Sequence, residues 1–163
     1  MEKYQIVGII IVFSGATNLQ IDAKGRLAMP TRHRPQLQQQ CCGRLVCTVD
    51  FQSRCLLLYP EDQWQVVAEK LMKLSDTQPI ERAMKRMLLG HAQECNMDKN
   101  GRLLIPASLR TFAELDKAAV LIGQLNKFEL WNEALWQQQL DDSMQALQSA
   151  DLSDSQRLQD FSL

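Results

Sequence analysis

Residues 22–30 read Asp22-Ala23-Lys24-Gly25-Arg26-Leu27-Ala28-Met29-Pro30, and residues 98–106 read Asp98-Lys99-Asn100-Gly101-Arg102-Leu103-Leu104-Ile105-Pro106. The two stretches stand 76 residues apart; Asp, Gly, Arg, Leu and Pro coincide, and Met29 matches Ile105. Four residues after each proline comes an arginine, Arg34 and Arg110. Upstream, Ala16 meets Ala92 and Ile21 meets Met97; downstream, Leu45-Val46 meets Leu121-Ile122. The spacing then falls to 72, which places four extra residues in the first copy around Val49–Arg54. There Tyr59 meets Trp131 and Trp64 meets Trp136. So many matches in order mark an internal duplication. The copies span 13–75 and 91–147, joined by residues 76–90.

Each copy predicts the same elements. A strand (Asn18–Ile21, Glu94–Met97) enters a tight turn in which Gly25 or Gly101 supplies the positive φ that most residues resist. A second strand (Arg26–Met29, Arg102–Ile105) ends at a proline, which favours the start of a short helix. Further strands follow at Leu45–Val49 and Cys55–Tyr59, and at Val120–Gln124 and Phe128–Trp131. A closing helix runs from Glu61 to Leu74 with Trp64, Val67, Ala68 and Leu71 on one face. Its counterpart carries Trp136, Leu140, Met144 and Leu147, with Asn132 as N-cap, and both tryptophans read as core. The linker Pro79–Gly90 reads as an amphipathic helix capped by Gly90. Residues 148–163 read as a loose, acidic, polar tail.

The chain has 163 residues, 45% hydrophobic and 23% charged, in the range of an ordinary soluble protein. Each copy is too small to bury much apolar surface alone, which predicts a shared core or an oligomer. Net charge is −1, against a general polyanion binder, but it is unevenly placed. Residues 133–163 hold six acids and one base, leaving residues 1–132 mildly basic. The five cysteines form no CxxC and read as reduced thiols. His33 and His91 lie far apart with no nucleophile or metal-ligand motif around them, and no glycine-rich phosphate loop occurs. The expectation is a non-enzyme with no cofactor and no metal.

The conspicuous polar feature is the Asp-x-x-Gly-Arg turn, open to two readings. Asp22 with Arg26, and Asp98 with Arg102, can lock the turn as a pair. Alternatively the turn presents Lys24 to phosphate and Arg26 to guanine O6 and N7. Residues 24–34 carry Lys24, Arg26, Arg32 and Arg34 without an acid, and residues 99–110 carry Lys99, Arg102 and Arg110.

In these motifs, together with Cys55-Leu-Leu-Leu-Tyr-Pro60, Leu88-Leu-Gly-His-Ala92 and Asn126-Lys-Phe-Glu-Leu-Trp131, the chain resembles the MraZ family of the swapped-hairpin AbrB superfamily. The resemblance runs from about Val12 to Leu163, and Arg157-Leu-Gln-Asp-Phe-Ser-Leu163 is similar to the ending of gammaproteobacterial members. It implies an α+β fold: two tandem swapped-hairpin AbrB-like repeats form a β-barrel-like core with peripheral helices. It implies a sequence-specific DNA-binding regulator, a repressor of the division and cell-wall gene cluster including its own promoter. Its partners would be double-stranded DNA with short direct repeats and copies of itself in a closed ring. The implied location is the cytoplasm, at the nucleoid and not the membrane. The family's Asp-x-x-x-Arg motif falls on Asp22/Arg26 and Asp98/Arg102, with Gly25 and Gly101 in the turns. The DNA-binding residues expected are Lys24, Arg26, Arg32, Arg34, Lys99 and Arg102. The alternative is an oligomeric scaffold using the same barrel without specific DNA binding.

Two features depart from the family pattern. Pro35 follows Arg34, which predicts a short or bent helix there. Residues 1–12 read as an N-terminal extension: family members start near Phe13, and Val12 reads as the true start if its codon is GTG. The apolar run Ile6–Phe13 is too short to span a bilayer.

Overall fold

A computed structural model describes residues 4–6, 9–11 and 13–161, with side chains from Phe13 onward. The reading of residues 1–12 as an extension falls partly on residues 1–3, 7–8 and 12, outside those described; β1 (Tyr4–Ile6) and β2 (Ile9–Ile11) pair as a hairpin. The chain divides into two compact units, residues 1–133 and 134–163.

In the first unit, β3 (Ala16–Gln20), β4 (Arg26–Ala28), α1 (Arg34–Cys41), β5 (Leu45–Val49), β6 (Leu56–Pro60) and α2 (Glu61–Met72) form the first repeat. The linker helix α3 (Pro79–Gly90) leads to β7 (Gln93–Glu94), β8 (Arg102–Leu104), α4 (Ala107–Phe112), β9 (Ala118–Gly123) and β10 (Phe128–Asn132). Among the described residues, within a copy only β5 pairs with β6 and β9 with β10; every other pairing crosses between copies. Six strands make one antiparallel sheet in the order β3-β9-β10-β6-β5-β7, so each copy's first strand lies beside the other copy's strand. β4 and β8 form a separate two-stranded ribbon. The ribbon follows from both edge strands, and its inward side chains Leu27, Met29, Leu103 and Ile105 share one core with Cys47, Leu58, Leu121 and Phe128. This is the barrel-like α+β core; no ladder joins β3 to β7 among the described residues.

The swap makes the core a joint product of both repeats. β4 offers Leu27 as its one buried position, and β8 offers Leu103. The two meet in register, Leu27 opposite Leu103, which puts a pseudo-twofold axis between equivalent residues. The same axis passes between Leu57 and Glu129, equivalent at an offset of 72 and paired across β6 and β10. Truncating either leucine to alanine in such a core costs about 2–5 kcal/mol.

Register also corrects the alignment of the copies. β3 pairs β9 as Ala16 with Ile122, and β5 pairs β7 as Val46 with Glu94. Together with the β5–β6 and β9–β10 registers, these pairings make Cys47 the equivalent of Leu121, an offset of 74. The four extra residues of the first copy are therefore split. Two lengthen α1, eight residues against six in α4, and two lengthen the loop after β5. Strand alternation has period two, so matching Leu45-Val46 to Leu121-Ile122 kept every side chain on its proper face while misplacing it by two residues.

Local details follow the residues. Pro35 sits in the first turn of α1, preceded by turn residues rather than a bend, and Cys42 closes the helix in a left-handed conformation. Gly90 is the last residue of α3, and the cap is His91, not Gly90. Thr48 is buried and donates its hydroxyl to the Leu88 carbonyl at 2.6 Å, holding α3 to β5. Trp64 is half-buried, its ring 5.7 Å from that of Tyr59, rather than fully core.

The second unit holds α5 (which begins at Glu133 and runs to Ser149), a 3-10 turn at Leu152–Asp154 and α6 (Gln156–Gln159). Residues 148–163, read as a loose tail, thus contain two short helical pieces; Asp151 accepts the Ser153 N–H as N-cap of the first. No residue of α5 is buried. Trp136, read as core, is half-buried, and Leu140, Met144 and Leu147 of the same stripe are exposed.

Candidate nucleic-acid interface

The two Asp-x-x-Gly-Arg turns have the same construction. Asp22 Oδ1 accepts the backbone N–H groups of Lys24 and Arg26, both at 2.9 Å, and Oδ2 accepts Arg26 Nε at 2.9 Å. Asp98 does the same with Asn100 at 2.8 Å, Arg102 N–H at 2.9 Å and Arg102 Nε at 3.2 Å. The backbone N–H of Arg26, aided by its guanidinium and by the Lys24 N–H, holds the Asp22 carboxyl below the ordinary carboxylate range. Asp98 is lowered in the same way, chiefly by the Arg102 N–H. Each aspartate is thereby an ionised anchor at neutral pH.

The pairing reading and the presenting reading are compatible. Asp22 occupies Nε of Arg26 and leaves the two terminal nitrogens without a protein partner among the described residues; Arg102 is equivalent. The side chains keep 31% and 35% of their surface exposed. A salt bridge that exposed contributes little stability. It does restrict the guanidinium, which is what a forked hydrogen bond to a planar acceptor needs.

The ribbon sets the spacing. Arg26 stands opposite Leu104 and Ala28 opposite Arg102, so its outer face carries two arginines related diagonally by the pseudo-twofold. Adjacent strands lie about 4.8 Å apart, and a two-stranded ribbon of this width fits the major groove of B-DNA. Lys24, Lys99 and Asn100 extend from the turns and are exposed.

The swap redistributes the remaining cations. Arg34 was expected to join Lys24 and Arg26; instead its side chain covers the other turn, with Nε against the position a Cβ on Gly101 would take, and donates to the Met29 carbonyl at 2.7 Å. Reciprocally, Arg110 covers Gly25 and donates from Nε to the Ile105 carbonyl at 3.0 Å. The turns therefore carry equal charge: Lys24, Arg26 and Arg110 at one, Lys99, Arg102 and Arg34 at the other. Sequence reasoning left Arg110 out of the site; the signal was its placement four residues after the repeated proline. Arg32 sits elsewhere, donating to Thr17 Oγ1 at 2.7 Å near the start of β3. At the equivalent place the second repeat has a neutral pair, Gln93 donating to Ser108 at 3.3 Å.

Other candidate chemistry has structural employment. His33 is buried between Phe13 and Phe128, ring centroids 5.5 and 5.1 Å away, and burial, reinforced by Arg32, lowers its pKa to about 4. His91 Nδ1 is 2.8 Å from the Met87 carbonyl on its own helix. The five cysteines are free, four of them buried. An open cleft of about 380 Å³ beside the first turn is lined by residues that include Asp22, Arg110, Asp116 and Lys117 and no Ser, Thr, Cys or His. Among the described residues, no cluster of three or more His, Cys, Asp or Glu is placed to hold a metal ion.

Interleaved repeats with two aspartate-anchored arginines on one ribbon define a tandem swapped-hairpin protein. A sequence model of the family described as "MraZ protein, putative antitoxin-like" matches the chain twice, at residues 12–87 and 88–159. The chain is 60% identical to the "Transcriptional regulator MraZ" of Shewanella piezotolerans, over 93% of this chain and 100% of that protein. It is 59% identical to the protein of that name from Shewanella pealeana and 57% to that from Shewanella amazonensis, with the same coverage. The chain belongs to the MraZ family.

Proposed function

We propose that this chain is a transcriptional regulator that binds DNA sequence-specifically through the β4–β8 ribbon. The carrying observation is the pair of arginines, each held at Nε by its own aspartate and open at its fork. Arg26 and Arg102 read guanine edges in the major groove. Lys24 and Lys99 meet phosphate, and Arg34 and Arg110 hold the turns in shape while adding positive charge. The name carried by the relatives supports the regulatory role.

The target is a set of short direct repeats in the promoter of the division and cell-wall gene cluster, the chain's own promoter included, and the effect is repression. The acting species is a ring of copies, and the site of action is the cytoplasm at the nucleoid; among the described residues no helix is long and apolar enough to cross a membrane. The exposed Leu140, Met144 and Leu147 of α5 suit self-association, and they also favour the second reading, an assembly scaffold. Gel shifts at several salt concentrations separate the two. A sequence-dependent shift that weakens steeply with salt supports the regulator. Binding that ignores sequence, or none, supports the scaffold.

A further inference from the structure

The ribbon's outer face contains two residues that neither phosphate contact nor arginine readout uses, Ala28 and Leu104. Leu104 is 55% exposed, in the middle of a basic surface. Its cross-strand partner is Arg26, and its equivalent under the pseudo-twofold is Ala28, paired with Arg102. Both outward positions flank an arginine, yet Leu104 carries three more side-chain heavy atoms than Ala28 and extends two bonds further. In an otherwise repeated burial pattern, with Ala28 and Leu104 both exposed, this difference has no packing role.

Resting on the DNA-binding reading above, we propose that Leu104 determines specificity by packing on the C5-methyl group of a thymine in the base pair beside the one Arg26 reads. Directly opposite side chains on an antiparallel ribbon have Cβ atoms about 4.5–5.5 Å apart. Base pairs stack at about 3.4 Å. Two such side chains entering the groove therefore address neighbouring steps. In the major groove only thymine presents a methyl, and apolar side chains recognise it by contact. Arg102 has only Ala28 beside it, which stops short. The pseudo-twofold reader thus acquires a direction: one end reads a guanine and a thymine methyl, the other a guanine alone. The turns reinforce the asymmetry, since the repeat equivalent of Lys24 is Asn100 and that of Lys99 is Ala23. A symmetric ribbon would prefer palindromes, whereas a directional one selects boxes in a common orientation.

The test removes the methyl and nothing else. The full chain selects fragments from a random DNA pool, and the enriched fragment is synthesised with thymine or with uracil at each thymine position. The protein is expected to bind the thymine form about three- to tenfold more tightly, the effect of losing one buried methyl contact. Leu104→Ala is expected to bring that ratio to about one, and Ala28→Leu to make a thymine on the other side of the box matter. Circular dichroism confirms that each variant is folded. An unchanged thymine-to-uracil ratio in Leu104→Ala, or no preference in the parent protein, overturns the role of Leu104 while leaving the arginine readers in place. Failure to enrich any sequence overturns the DNA-binding reading and this proposal with it.

Discussion

Arg110 of the second repeat lies flat against Gly25 of the first, its guanidinium carbon 2.7 Å from where a Cβ would stand, and Arg34 covers Gly101 at 2.6 Å. Both glycines have positive φ, +83° and +75°. Each turn is thus shaped by its own sequence and covered by an arginine from the other copy.

Replacing Gly25 by alanine has two costs. A left-handed conformation costs a residue with a Cβ about 1–2 kcal/mol, and the Cβ displaces Arg110. We expect Gly25→Ala to destabilise the protein by roughly 2–3 kcal/mol in urea unfolding. In an Arg110→Ala background the same change is expected to cost less, because only the backbone term remains. Equal costs in both backgrounds would show that the contact carries no energy.

His33 predicts an acid limb. Its folded pKa is about 4 against an ordinary 6.5, so the folded state favours the neutral ring. That stability is complete above about pH 6.5 and is lost as pH falls toward 4, on the order of 3 kcal/mol in all. The equivalent residue, Leu109, is fully buried. His33→Leu should therefore flatten unfolding free energy between pH 6.5 and 4; a limb unchanged in the variant assigns it to other groups.

Much of this fold was readable from residues because the duplication doubled every signal. The Asp-Gly-Arg-Leu-Pro spacing located the turns, and the apolar runs located β5 and the linker helix. Strand partners were not readable: β3 and β4 are joined by a tight turn whose sequence is that of a hairpin, yet they diverge to pair with β9 and β8. The burial that drives the exchange is spread over both copies. The same cause misdirected the reading of Arg34, since proximity in sequence put it beside Arg26 while the swap carries it to Gly101. The α5 stripe shows the converse, because periodicity marks an apolar face without saying what covers it.

Lys24 is exposed and donates only its backbone N–H to Asp22. As a phosphate contact, Lys24→Ala should weaken binding to all sequences about equally and lower the salt slope by about one, because one fewer counterion is released. Altered base preference with an unchanged slope would place Lys24 on a base.

A single ribbon brings two arginines to a groove, each worth about 1–3 kcal/mol of discrimination, too little to pick one promoter from a genome. Linking several ribbons at fixed spacing adds on the order of 10²–10⁴ in avidity. Specific binding should therefore need at least two direct boxes and a multi-subunit protein, checked by mutating boxes singly and measuring the mass of free and bound species. Tight, specific binding of a monomer to one box would contradict the ring.

Anchored arginines on the β4–β8 ribbon are proposed to read bases. The most direct measurement is the affinity of the parent protein and of Arg26→Ala for a selected operator and for a scrambled duplex at one salt concentration. Arg26→Ala is expected to lower the ratio of specific to non-specific affinity by about 10- to 100-fold, corresponding to about 1–3 kcal/mol. Scrambled-duplex binding should be weakened far less, and assembly and unfolding should be unaffected. An unchanged ratio in a folded variant, or a variant that fails to assemble, would contradict it and leave Arg26 as a clamp on its own turn.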